Sequence, residues 1–354
     1  MRRWQGMALA VAVAVIALAG NVWFTHDFFT GRFPGGNDSI PRYLGAQAWL
    51  TDRLNPYSEE VARRGQLMIY GRLARDDNAD KAHGEDKAYF VYPLYVIFFY
   101  LPLARFDWPW ARAALMVALE VALVGTVLVS VRWFRWRLPP WALAALVIWP
   151  LVDYHSARTL ILAQWAGMVA FFLVLGLWAL ATGHYGWAGV FLALATTKPQ
   201  MALPLLPLVG LWSLVTRRWR LAGSLAASMA VLAGASLAIA PTWVGDMLGQ
   251  LAFYARYTEA WSPVFVVTRL WLPVLGVVGQ WAITLALSGW LGWEWWAARD
   301  DTGERRTWVW MLTLVLTNVI AWRTATTNYV MMFPIVVYLL ARWGRNLPAT
   351  IERG

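Results

Sequence analysis

Residues 113–131 read Ala-Ala-Leu-Met-Val-Ala-Leu-Glu-Val-Ala-Leu-Val-Gly-Thr-Val-Leu-Val-Ser-Val, an apolar run interrupted by one charge, Glu120. At about 1.5 Å per residue such a run matches the roughly 30 Å hydrocarbon core of a bilayer. Comparable runs cover 7–25, 159–180, 200–216, 221–240 and 270–292. Of the 354 residues, 60% are hydrophobic and 14% charged, where a soluble domain carries about 25% charged. The expected fold class is therefore all-α integral membrane, a polytopic bundle of about ten transmembrane helices. Tryptophan, 26 in all, recurs near the run ends (Trp23, Trp133, Trp141, Trp219, Trp243, Trp322, Trp343), where an amphipathic ring sits at headgroup level.

The formal charge of +10 does not read as nucleic-acid binding. Its basic residues fall in short clusters between apolar runs: Arg132/Arg135/Arg137, Arg217/Arg218/Arg220, Arg299/Arg305/Arg306 and Arg342/Arg345. Such clusters mark cytoplasmic loops. Cysteine is absent, which removes disulfides, thiolate metal sites and sulfur redox chemistry. Arg2 and Arg3 precede the first apolar run, and Ala17-Leu18-Ala19 resembles a signal-peptidase site. We read an uncleaved first helix, because many spans follow it.

The long hydrophilic stretch, 26–90, holds ten of the twenty acids and nine basic residues. With the N-terminus inside, it is the first extracytoplasmic loop of a single membrane domain, 1–354. Amphipathic segments are expected near 41–54 and 57–75, and a mobile loop at Arg75-Asp76-Asp77-Asn78. Two short segments, 91–104 and 139–152, raise a parity problem. Keeping Arg132/Arg135/Arg137 in the cytoplasm makes 91–104 the re-entrant or interfacial one, which gives ten crossings and a cytoplasmic C-terminus. The outer face then carries loop 26–90, Asp153–Arg158, Lys198-Pro199-Gln200, loop 241–263 and Trp322–Asn328.

On that face the chemistry-bearing candidates gather. Asp38, in Gly35-Gly36-Asn37-Asp38, is suited to act as a general base on a substrate hydroxyl, or to cap the following helix. Lys198 lies between apolar stretches, either facing a cavity where it holds a phosphate as a point charge or snorkelling to the interface. Arg158 and Arg323 stand at outer helix ends, as anion ligands or interfacial anchors. Gln164 donates inward or ties helices together, and mid-helix Glu120 is equally a functional acid or a structural contact. His83 and His184 receive no role, and His155 beside Asp153 is too small a set for a metal. No Walker loop, dinucleotide fingerprint or metalloprotease helix is present.

Taken in order, these features resemble glycosyltransferase family 87 of the GT-C superfamily. The resemblance runs through Gly36-Asn37-Asp38, Tyr43, Ala46, Asn55-Pro56-Tyr57, Phe90-Val91-Tyr92-Pro93-Leu94, Leu101-Pro102-Leu103-Ala104, Ala163-Gln164-Trp165 and Lys198-Pro199-Gln200, roughly 30–340. It implies transfer of a hexose or pentose, with inversion, from a polyprenyl-phosphate sugar to a lipid or glycan acceptor on the extracytoplasmic side. Asp38 would be the base, and Lys198, with Arg158 or Arg323, would hold the leaving phosphate. Asn37, Tyr43, Tyr57, Tyr92, Gln164, Gln200 and Asn328 would line the pocket. No metal or other cofactor is implied; the partners are donor, acceptor and membrane lipids. Mannose or arabinose would be natural sugars, for cell-envelope glycolipids at a bacterial plasma membrane. Three positions depart from the family pattern: one proline follows Tyr92, Ala163 replaces glycine, and Thr327-Asn328-Tyr329 stands where a His-Asp pair is common. A polytopic lipid or solute transporter, or flippase, is the competing class, but no internal repeat of the kind transporters carry is visible. A non-catalytic scaffold would tolerate replacement of Asp38 and Lys198.

Overall fold

The computed structural model describes residues 2–76, 84–258, 261–321 and 323–346. Asp77, Asn78, His83 and Trp322 lie outside the described residues. Among the described residues there are helices and no strand. In chain order the helices begin with α1 (Arg2–Thr25), α2 (Ile40–Asp52), α3 (Glu59–Tyr70), α4 (Ile97–Tyr100), α5 (Trp108–Trp133) and α6 (Pro140–Val152). There follow α7 (Tyr154–Ile161), α8 (Ala166–Ala181), α9 (Tyr185–Ala195), α10 (Pro199–Ala202), α11 (Leu205–Val215) and α12 (Trp219–Ile239). The last are α13 (Trp243–Tyr257), α14 (Pro263–Phe265), α15 (Gly276–Ala297), α16 (Glu304–Ile320) and α17 (Phe333–Asn346).

Among the described residues, three helical stretches are long and apolar enough to cross a membrane: Gln5–Thr30, in which α1 continues as a π-helical turn, Trp108–Trp133 and Trp219–Ile239. None of the apolar window of the first is buried, and almost none of the third. Leu9, Val11, Ile16 and Val231 are among the bare side chains. Apolar area left in water costs about 25 cal/mol per Å², and soluble monomers do not leave patches of this extent uncovered. Lipid is the solvent that suits them, so this is a membrane protein. Shorter apolar helices, α6, α8, α9 and α11, accompany them.

Three of the apolar runs do not form single helices. The run 159–180 breaks between α7 and α8, where Ala163 takes a left-handed φ of 51°. The run 200–216 breaks between α10 and α11 at Pro204, and 270–292 starts late because Pro273 precedes α15. Proline lacks the N–H that would continue a helix and biases its predecessor away from helical ψ. Hydropathy counts such residues without registering the turn. The amphipathic pair expected in the first loop is present as α2 and α3. Segment 91–104 consists of α4, only four residues and about 6 Å long, between 3₁₀ turns at Leu94–Val96 and Leu103–Arg105.

The described residues fall into two compact units, within Met1–Val121, Thr159–Gln164 and Thr242–Tyr257 for the first, and Ala122–Arg158, Trp165–Pro241 and Thr258–Gly354 for the second. In the first, α2 packs on α3, α4 and the 3₁₀ turn Leu103–Arg105. Glu120 on α5 accepts a hydrogen bond of 2.9 Å from Asn21 on α1, the structural contact of the two readings. In the second unit α8 packs on α9 and α9 on α12. There the backbones approach closely: a Cβ on Gly189 would fall 2.0 Å from Ser224 Oγ and 2.6 Å from the Leu225 nitrogen. Small residues of this kind let membrane helices touch without a hydrophobic drive between them.

Candidate active site

The first unit builds a polar cluster around Asp38. After the first helical stretch the chain turns through Gly36, whose φ is +79° and where a Cβ would lie 2.7 Å from Arg112 Nε. Only glycine suits both demands. Arg112 and Trp108, from the first turns of α5, hold this turn. The Trp108 indole donates to the carbonyls of Pro34 and Gly35 at 2.8 Å, and the Arg112 guanidinium to those of Phe33 and Ile161. The turn leaves Asn37 exposed and Asp38 half-buried.

Asp38 does not cap the helix that follows. Ser39 is the N-cap residue of α2, without a side-chain cap bond, and the Asp38 carboxylate is engaged elsewhere. Its Oδ2 accepts a 2.8 Å hydrogen bond from Gln164 Nε2, 126 residues away in sequence. Gln164 Oε1 accepts in turn from the Tyr92 hydroxyl at 3.0 Å. That second bond sets which end of the amide faces Asp38, since an amide whose oxygen is held by a donor must present its nitrogen to the carboxylate. Asp38 Oδ1 has no protein donor among the described residues.

Around this pair the packing is dense. Tyr57 donates to the Tyr92 carbonyl at 2.6 Å. The Ser39 hydroxyl lies 2.8 Å from Tyr100 Oη and donates to the Ala163 carbonyl. The left-handed turn at Ala163 thus brings its carbonyl to Ser39 and, one residue on, the Gln164 amide to Asp38. Tyr43 plays a different part: its hydroxyl donates to the Phe106 carbonyl at 2.7 Å and its ring lies 5.0 Å from Trp108, so it fixes α2 against the following turn.

One residue of the cluster went unread in the sequence. Arg42, 3% exposed, lays its guanidinium over the Tyr92 ring at 4.1 Å and hydrogen-bonds Tyr100. Burial opposes its charge, but Tyr92, Tyr100 and the Asp38 carboxylate outweigh that and hold its pKa above the ordinary arginine value. The available signal was an arginine on the otherwise apolar face of α2, four residues after Asp38 and so one helical turn on.

In the second unit the remaining candidates are placed separately. Lys198 sits in the turn between α9 and α10 and is 2% exposed, inside the protein instead of snorkelling to its surface. Trp165 donates to Thr197 Oγ1 at 2.9 Å and so pins this turn. Gln200, one residue into α10, is exposed. Helix α10 packs on α8, α9 and α16. Asn328 is buried in the 3₁₀ segment Thr326–Met332, which packs on α8, α16 and α17. Its Nδ2 donates to Thr324 Oγ1 at 3.3 Å, and Thr324 to Asn318 Oδ1 at 3.2 Å. Asn328 Oδ1, Asn318 Nδ2 and Thr327 Oγ1 are buried with no protein hydrogen-bond partner among the described residues. Buried polar atoms of this kind carry a desolvation penalty that a polar ligand would relieve. Arg323 donates to the carbonyl and hydroxyl of Thr258, and Arg158 is exposed, its guanidinium 3.3 Å from the Tyr154 hydroxyl. No group of three or more His, Asp or Glu side chains that could hold a metal ion occurs among the described residues.

The family model for glycosyltransferase family 87 matches residues 90–321. Tyr92, Arg158, Gln164, Lys198 and Gln200 fall inside that span; Asn37, Asp38, Arg42, Tyr43 and Tyr57 precede it, and Arg323 and Asn328 follow it. No curated protein and no solved structure matches the chain.

Proposed function

The chain belongs to glycosyltransferase family 87, and from that premise we propose that it moves a hexose or pentose, with inversion, from a polyprenyl-phosphate sugar to a lipid or glycan acceptor on the extracytoplasmic side. On this reading Asp38 is the general base. Its Oδ1 takes the proton of the acceptor hydroxyl as that oxygen attacks the anomeric carbon. The bond from that carbon to the phosphate oxygen breaks, and polyprenyl phosphate leaves. Lys198, with Arg158 or Arg323, offsets the charge that grows on the departing phosphate. Asn318, Thr327 and Asn328 offer the donor its polar contacts. Ten crossings, a re-entrant 91–104, one membrane domain and cytoplasmic termini in a bacterial inner membrane complete the proposal.

The observation that carries it is the Tyr92–Gln164–Asp38 chain. Gln164, itself held by Tyr92, bonds one oxygen of the Asp38 carboxylate and leaves the other for substrate; both holding residues lie inside the family span, and Asp38 lies 52 residues before it. A carboxylate serving only as a helix cap would not be held in this way. Tyr92 and Gln164 then act as positioning residues behind Asp38, and Arg42 fixes the Tyr92 ring.

The test is donor turnover by the purified protein in lipid nanodiscs, with a panel of polyprenyl-phosphate sugars and a mixed lipid acceptor extract. Wild type is expected to consume one donor, Asp38→Asn to lose at least about 100-fold in kcat, as general bases do, and Lys198→Ala to lose turnover as well. Equal turnover by Asp38→Asn and wild type removes Asp38 as base. Movement of an intact lipid or solute across the bilayer without transfer of its sugar would establish the transporter reading instead.

A further inference from the structure

A cleft in the second unit is lined by none of the residues assigned to sugar transfer above. It has a volume of about 720 Å³ and is formed where three helix ends, the C-terminal ends of α5 and α8 and the N-terminal end of α16, meet α17 at Tyr338. Arg132 and Arg135 stand at its wall, beside Trp133, Trp178 and Tyr338. Both arginines are exposed, and neither has an acidic partner among the described residues. The one carboxylate in the lining, Glu304, is already met by Arg342 at 2.9 Å. The cleft thus keeps the charge of two arginines, with aromatic rings around it.

Its depth in the bilayer follows from α5. That helix has 26 residues, about 39 Å at 1.5 Å per residue, so its last turn, Arg132 and Trp133, emerges from a hydrocarbon core of about 30 Å. Arginine and tryptophan at such a level are the pairing found at the lipid headgroups. On the topology proposed above, the arginine cluster Arg132/Arg135/Arg137 lies on the cytoplasmic side, where the leaflet carries anionic lipids. We propose that this cleft binds the phosphate headgroup of an anionic glycerophospholipid, with Arg132 and Arg135 as its ligands and the aromatic side chains against the glycerol and upper acyl chains. The site does not depend on the transferase reading, because none of its residues takes part in it.

The experiment uses the full chain in detergent micelles and energy transfer from its tryptophans to an acyl-labelled dansyl phosphatidylglycerol. Unlabelled phosphatidylglycerol, phosphatidylcholine and inorganic phosphate serve as competitors. Phosphatidylglycerol is expected to displace the label, and phosphatidylcholine and inorganic phosphate not to. Arg132→Gln/Arg135→Gln should raise Kd about 30-fold, at about 5-fold per arginine. Arg132→Lys/Arg135→Lys, which keeps the charge, should stay within about 5-fold of wild type. Arg217→Gln/Arg220→Gln, which removes the same charge from another exposed arginine cluster, should bind as wild type does. Thermal unfolding of each variant checks that it is folded. Equal losses in the two Gln pairs would mean general surface charge and overturn the proposal. So would equal displacement by phosphatidylcholine, or displacement by inorganic phosphate, which would make the cleft a free-anion site.

Discussion

If Tyr92 and Gln164 exist to hold Asp38, removing them should cost turnover in a fixed order. Gln164→Leu deletes the 2.8 Å bond to the carboxylate. A hydrogen bond to an ionised group contributes about 1.5–3 kcal/mol. Because Asp38 is half-buried and partly screened, the lower half of that range applies, about 1.5–2.2 kcal/mol. At about 1.4 kcal/mol per tenfold, kcat should fall about 12- to 40-fold. Tyr92→Phe keeps the ring beneath Arg42 and removes only the 3.0 Å bond to Gln164 Oε1. A neutral bond contributes about 0.5–1.5 kcal/mol, so the fall should be about 2- to 12-fold, as the amide becomes free to turn its oxygen toward Asp38. Asp38→Asn removes the base and should cost about 100- to 10,000-fold. The losses should appear in kcat with KM little changed, because proton transfer belongs to the transition state. The assay is nanodisc turnover of whichever donor the wild type consumes, with thermal unfolding as a check on folding. A Tyr92→Phe defect larger than that of Gln164→Leu, or a defect confined to KM, would refute the positioning argument.

Other consequences follow from the packing. Gly189→Val drives a side chain into Ser224 and the Leu225 backbone and should destabilise the protein by about 1–3 kcal/mol. It should lower the midpoint of tryptophan-monitored thermal unfolding in detergent; an unchanged midpoint would contradict the α9–α12 contact. Arg42→Met removes the guanidinium from the Tyr92 ring, a desolvated cation–π contact of about 2 kcal/mol, and should lower the same midpoint. Arg42→Met as stable as wild type would mean that Arg42 does not brace the cluster. In the first loop, hydrogen bonds from Arg72 at 2.7 and 2.8 Å, then the Arg75 backbone N–H, hold the Glu85 carboxyl down to about 2 from an ordinary 4.5. A depressed carboxyl contributes stability that is complete above pH 4.5 and is lost as pH falls from there through 2. A spin label on Leu73→Cys, in a chain that has no other cysteine, should therefore sharpen between pH 4.5 and 2. In Glu85→Gln it should be mobile throughout; pH-independent spectra from the wild-type loop would sink the account.

The local features of the chain were legible without coordinates. Apolar runs gave the membrane class, because lipid demands continuous apolar surface from each helix separately. Alternation of polar and apolar residues gave α2 and α3, and residue order gave the family. What periodicity could not give is where runs 159–180, 200–216 and 270–292 break, since apolar residues look alike whether a helix continues or turns. For Arg42 it gave only an arginine on the apolar face of α2, a signal that names neither Tyr92 nor Tyr100 as its partner.

The sequence by itself determined that this is an all-helical membrane protein with a polar first loop bearing Asp38, since those properties depend on composition and on neighbours a few residues apart. Only the tertiary structure decided what Asp38 touches. Its carboxylate meets Gln164 across 126 residues of chain, Gln164 meets Tyr92 across 72, and Ser39 meets Ala163 across 124. No local propensity encodes such pairings. They arise because a buried amide, phenol and guanidinium must each find a polar partner once water is excluded, and the folded chain is what brings those partners within reach.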